Sequence, residues 1–287
     1  MVKFHYPIHP LEVDIGMPWT SRFFHQCEGW QKPDRIEASI DKFIAATIAY
    51  GHIGWLVEES HGIRNTCRSY YMLQQLQSRY VMQAPEAIQY GTDDGLISSS
   101  RALLNGAWRD SRLFVRYPEE LRVWVNGNDK KPWTVDVDGT SVTLPPSGWV
   151  AIQADAFFEE SALEDGHRID RVVSPAYVYV DGRGRETTCA GVRTAGAVAV
   201  RSADWGKGLS IVAVDGAGPF SIRKPTGRHT HSAVCDVIRA VAEAAALHVE
   251  AFNVESRSLG AAPAERKQDA WVVSAVPKGI RYEIKIR

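Results

Sequence analysis

Apolar and polar positions are most orderly over residues 112–152. Leu113, Val115 and Tyr117 alternate with Arg112, Phe114 and Arg116. After Pro118-Glu119-Glu120 the alternation resumes, with Leu121, Val123 and Val125 set against Arg122, Trp124 and Asn126. Two period-2 runs joined by a polar turn predict a β-hairpin with one face buried and one face wet. Asn126-Gly127 and Asp138-Gly139 offer the positive-φ residues that tight turns need. Pro145-Pro146-Ser147-Gly148 separates the next strand from the apolar run that begins at Trp149. An antiparallel meander is expected here. Further short strands are expected at 86–90, 172–180, 197–200, 209–214 and 220–222, then at 248–254, 271–276 and 280–286. Between them, the alanine-rich stretch 232–247 predicts one helix or irregular excursion.

The N-terminal third has a different rhythm. Residues 11–15 (LEVDI) predict a short strand, followed by a long loop, WTSRFFHQCEGWQKP. Ile36, Ile40, Phe43, Ile44, Thr47 and Ile48 then recur at helical spacing, with Asp34 and Glu37 placed as a capping box and Gly51 as a stop. Residues 52–57 (HIGWLV) are apolar almost throughout, as a strand buried on both faces would be. A second helix is expected over 66–83, ended by Pro85. Strand, loop, helix, strand, loop, helix is the order of parallel βα units. A complete eight-stranded barrel takes about 250 residues, and here the pattern stops near Pro85. The expected fold is therefore α+β and multidomain: a partial (βα) barrel segment over 1–85, followed by an antiparallel β-sandwich over 86–287. Such a short run of βα units implies that the chain begins late in a larger protein, or that a second chain completes the sheet.

Composition narrows the partners. A 45% hydrophobic and 23% charged chain is globular and not disordered. A formal net charge of -1 gives no overall basic field to displace counterions from phosphates, so no nucleic-acid partner is expected. No apolar run approaches the ~20 residues of a bilayer span, so no membrane association is expected either. The start, MVKFHYPIHP, lacks the apolar core of a signal peptide. Localisation stays open, with a secreted or periplasmic setting if the chain is a fragment. Four scattered cysteines (Cys27, Cys67, Cys189, Cys235) without CxxC spacing read as free, mostly buried thiols. Nine tryptophans and ten tyrosines suit a well-packed sandwich or a carbohydrate-binding surface.

Residues at the carboxyl ends of strands in a βα architecture face the functional crevice. By that rule Asp14, at the end of the first strand, and Glu58, closing the second, are candidate catalytic carboxylates. Glu28, in the long loop, is the first choice among them. Cleavage of a glycosidic bond needs two carboxyls, about 5–5.5 Å apart when one is the nucleophile and about 6.5–9.5 Å apart when one activates water. Trp19 and Trp30, together with Trp55, would stack on sugar rings, and His25, Glu59 and His61 complete the substrate-binding set. The alternative stays open that Glu58 and Glu59 cap the following helix and that Asp14 stabilises a loop. His229-Thr230-His231 with Cys235 lacks a second ligand pair and reads as a solvated loop, so neither metal nor cofactor is expected. Gly182-Arg183-Gly184-Arg185 follows a strand without opening a helix and reads as a turn.

The run IAATIAYGHIGWLVEE, with the Tyr- and Gln-rich helix after it, resembles the final βα units of large bacterial glycoside-hydrolase-like (βα)8 barrels. LFVRYPEELRVWVNG, WTV and LPPSGWVA resemble the β-sandwich that follows such a barrel. The resemblance covers roughly residues 11–154. It implies a carbohydrate-active protein acting on glycosidic bonds, with a carboxylate pair partly supplied by a missing N-terminal barrel portion or a second chain. The other reading is a non-catalytic carbohydrate-binding or scaffolding β-sandwich module.

Overall fold

A computed structural model describes residues 35–54, 58–154, 156–203, 206–214, 218–226 and 229–286, without the side chains of 58–61. They form mostly antiparallel β-sheet with four helices and no (βα) barrel pattern. The chain divides into two compact units, one of residues 1–154 with 159–166, the other of 155–158 with 167–287.

In the first unit, α1 (Ile36–Tyr50) ends where Gly51, at φ 69°, closes the last turn onto the carbonyls of Ile48 and Thr47. α2 (Glu58–Tyr80) packs against it, and between the helices the chain makes no strand over residues 52–54. The backbone there is satisfied by side chains of α2. Gly54 N donates to Gln77 Oε1 at 3.1 Å, and Tyr80 donates its hydroxyl to the His52 carbonyl at 2.7 Å. Gly54 also lies so close to α1 that a Cβ there would stand 2.7 Å from Thr47 Cγ2. A short apolar run does not distinguish a buried strand from a tight interhelical link by periodicity. Residues 52–54 form no strand, 55–57 lie outside the described residues, and the expected partial barrel is replaced by antiparallel sheet without a (βα) pattern. The expected strand at 11–15 lies outside the described residues.

The sheet of this unit is antiparallel. β1 (Ala87–Thr92), β2 (Gly95–Ser98), β3 (Arg112–Arg116), β4 (Leu121–Asn126) and β7 (Gly148–Gln153) run in the order β2-β1-β3-β4-β7. α3 (Ser99–Asn105) leads out of β2, its first turn capped by Ser98. Cross-strand partners share a face, so the register places Tyr90, Leu113, Val115, Val123, Val125, Trp149 and Ala151 together. Tyr117 continues that face, and Tyr80 of α2 stacks on it at 5.7 Å. The helices therefore cover this side.

The opposite face, with Phe114, Trp124 and Val150 in register, was expected to be wet. It is buried too. The hairpin of β5 (Trp133–Val137) and β6 (Thr140–Leu144) folds over it, with the Trp133 ring where a side chain at Gly91 would be. Arg122 grips Asp138 with two parallel bonds of 2.8 and 2.9 Å. Asp138 (φ 52°) and Gly139 (φ 77°) make the tight turn that the sequence predicts. Gly127 serves differently: its N–H meets the Ser111 carbonyl at 2.8 Å, an approach that a Cβ would obstruct. β8 (Phe157–Glu164) touches β6 at Leu163 and Thr143.

The second unit pairs a larger and a smaller sheet around a helix. β9 (His167–Val173), β10 (Val178–Asp181), β13 (Ala197–Ala203), β14 (Gly208–Val214), β20 (Arg281–Ile286), β16 (Leu247–Phe252) and β17 (Ser258–Ala261) form one antiparallel order. β11 (Thr187–Cys189), β12 (Val192–Thr194), β15 (Phe220–Arg223), β19 (Ala270–Val273) and β18 (Ala264–Lys267) form the other. α4 (Ala233–Glu243) packs on β13, β14 and β15 and so touches both sheets. Val180, Val198, Ile211, Ile222, Ile238 and Val273 belong to one core. A single barrel segment followed by a sandwich does not describe this arrangement: helices, hairpin and small sheet each cover a sheet face.

Candidate functional site

Asp14, Trp19, His25, Glu28, Trp30 and Trp55 lie outside the described residues. Glu58, Glu59 and His61 are placed by their backbone only. They occupy the first turn of α2, before Gly62 breaks the helix at φ 76° and ψ 157°. They lie in a helix themselves, and residues 55–57 before them lie outside the described residues. Acidic residues in the first turn of a helix complement its macrodipole, the capping role that stood as the alternative for Glu58 and Glu59.

The buried ionisable groups of the described residues are held inside the units. Asp41 of α1 meets Arg68 of α2 at 2.5 Å, with side chains 8% and 1% exposed. The pair joins α1 to α2 inside the unit, and losing either side chain would cost the other its charge partner. The Trp149 indole donates to the fully buried Glu159 at 2.8 Å. Tyr80 and Tyr117 stack nearby, and burial pushes both phenols above their ordinary range. They act as neutral hydroxyls, and Tyr80 spends its proton on the His52 carbonyl.

In the second unit, Arg183 (φ 47°) and Gly184 (φ 93°) form the expected turn. The Arg183 guanidinium turns inward onto Asp170, which is fully buried, with contacts of 2.9 to 3.2 Å that no motif in the sequence marks. The segment read as a solvated loop around His229 is partly packed. His229 stacks on Phe158 at 4.9 Å, and Thr230 and Ser232 are buried. Ser232 caps α4 by accepting the Cys235 N–H at 3.3 Å. Cys235 is a core residue, and Cys67, Cys189 and Cys235 are free thiols. Among the described residues, no group of three His, Cys, Asp or Glu side chains could hold a metal ion.

Among the tryptophans of the described residues, Trp108 is the one candidate platform. Trp124, Trp133, Trp149 and Trp271 are core residues, whereas Trp108 is half-buried on a short 3-10 turn, Ala107–Asp110. The turn is held locally: Asn105 accepts the Ala107 N–H, Gly106 accepts the Arg109 N–H, and Asn128 donates to the Asp110 carbonyl. The Arg109 guanidinium lies 5.1 Å from the indole centroid. A fixed, part-exposed aromatic ring with a guanidinium beside it can stack on an apolar sugar face and donate hydrogen bonds to hydroxyls. Nothing in the pattern around GAWRD marked it, because one tryptophan in a polar turn has no periodicity. Comparison with protein families, curated proteins and solved structures finds no match to this chain.

Proposed function

We propose that the two β-rich units are a non-catalytic scaffold in a carbohydrate-active protein, with Trp108 as a point of contact to sugar. The carrying observation is the fate of the acidic groups. Four buried carboxylates have partners in the interior of a unit: Asp41 meets Arg68, Glu159 the Trp149 indole, Asp170 the Arg183 guanidinium and Asp181 the Arg183 N–H. Acids so engaged serve the fold. The carbohydrate assignment rests on the resemblance of the 11–154 stretch and on the Trp108 platform.

The deciding experiment separates binding from cleavage. Titration of the chain with mixed oligosaccharides, followed by tryptophan fluorescence, should give saturable binding that Trp108→Ala abolishes. Glu28→Gln and Glu58→Gln should leave that binding intact. Release of reducing ends that depends on Glu28, Glu58 or Asp14 would overturn the scaffold reading in favour of glycoside hydrolysis.

A further inference from the structure

Strands that end a sheet expose unpaired N–H and C=O groups, and proteins blunt such edges with charge, bulges or cover. The edges of the second unit are treated in this way. β18 carries Glu265, Arg266 and Lys267. β17 joins its neighbour across a register shift at Ala251/Phe252. β11 is largely buried, and Arg171 binds its Thr187.

Among the described residues, β2 in the first unit has none of these devices. It pairs with β1 on one side, ends the sheet, and its sequence GLIS contains no charge, proline or bulge. Its residues are mostly exposed, Leu96 by 39%. Directly after it, α3 folds back with Ala102 buried and presents Leu103 and Leu104 outward, Leu104 at 90% exposure. An apolar edge strand beside an exposed leucine is a template for strand addition.

We propose that β2 is a self-association edge, where a second copy of this chain adds its own β2 in antiparallel register about a two-fold axis. Charge complementarity selects this occupant. Asp94 precedes β2 and Arg101 follows it, both exposed, while Asp93 beside them is held by Arg112 of its own chain at 2.9 Å. Antiparallel pairing centred on Leu96 keeps matching faces together and sets Gly95 against Ile97 of the second copy. It also brings the Asp93-Asp94 turn of each copy beside the first turn of α3 of the other, where Arg101 stands. A two-fold interface repeats every contact, so one acid–base match becomes two. A four-residue ladder is short, so the association is weak and depends on concentration.

Sedimentation equilibrium over a concentration series tests this. The average mass should climb from the 31.9 kDa monomer toward the dimer. Leu96→Lys and Leu104→Glu should each weaken dimerisation about tenfold or more, with far-UV circular dichroism unchanged. Asp94→Arg and Arg101→Asp should each weaken it through like-charge contacts, and the combined exchange should restore it. If Leu96→Lys disturbs the hairpin, the charge exchange still decides. A monomer at every concentration, or a dimer indifferent to these substitutions, would overturn the proposal.

Discussion

Asn126, at the end of β4, donates its side-chain amide to the carbonyl of Pro145 at 3.0 Å. The same amide reaches the carbonyls of Leu144 at 3.0 Å and Lys131 at 2.9 Å, and its oxygen accepts the Asn128 N–H at 3.2 Å. One fully buried side chain thus fastens the β4 end, the β5–β6 hairpin and the Pro-Pro turn. Replacing it with alanine leaves these carbonyls buried without their donor, and should cost about 2–4 kcal/mol. Asn126→Asp should be worse, since a carboxylate offers acceptors where donors are required. Urea denaturation of both variants checks the size and the order.

Asp170 and Arg183 form a buried ion pair whose halves are not separately tolerable. Asp170→Asn or Arg183→Met alone should destabilise the second unit by about 3–5 kcal/mol, because each leaves a buried polar partner unmatched. Replacing both with apolar residues should recover a large part of the loss. A double-mutant cycle on the denaturation midpoint measures that coupling. Additive effects would show that the two side chains do not act as a pair.

Gly91 is held by space and not by backbone conformation. A Cβ at this position would stand 2.3 Å from Trp133 Cζ2, so Gly91→Ala must displace the indole. We expect a loss of about 1–3 kcal/mol, the usual range for overpacking. Trp133→Leu in the same chain should return part of it, and a lower melting temperature that the second substitution raises would report that rescue.

Tyr80 and Tyr117 predict a loss of stability in alkali. Burial raises both phenol pKa values in the folded state, while the unfolded chain titrates near 10. The unfolded state therefore releases these protons first as pH rises. The contribution is fully present below about pH 10 and falls by about 1.4 kcal/mol per group for each pH unit above it. Denaturation midpoints measured from about pH 9 to about pH 11 should drop steeply. Tyr80→Phe and Tyr117→Phe should each flatten that drop.

The meander was legible because alternation over two adjacent strands leaves one register that keeps Leu113 with Val125 and Val115 with Val123. α4 was legible from its alanines, with Ser232 at the cap. Two errors have a common cause. Residues 52–54 read as the start of a strand and form none, and Phe114 and Trp124 sit at positions that alternation marks as wet. In both places the outcome depends on distant residues: Gln77 and Tyr80 for the first, the Trp133 hairpin for the second. Local pattern holds no record of them. The run 172–180 was read as one strand, and it breaks because Ser174 and Tyr177 close a turn on each other around Pro175. At the candidate site, residue type together with position at expected strand ends and in the long loop proposed Asp14, Glu28 and Glu58. The engagement of Asp41, Glu159 and Asp170 needs tertiary neighbours, and no spacing in the sequence announces them.

The chain does not finish its first unit before starting its second. Residues 155–158 belong with the later part, and 159–166 return to the earlier one. Trp149 therefore waits for Glu159, its hydrogen-bond partner, beyond a short excursion. During synthesis the first unit stays incomplete until the ribosome has released residues past 166, so a nascent chain halted near Ala154 would hold Trp149 without the acceptor it needs. Expression of the first unit as a soluble piece should accordingly require a stop codon placed after Gly166 and not before Asp155.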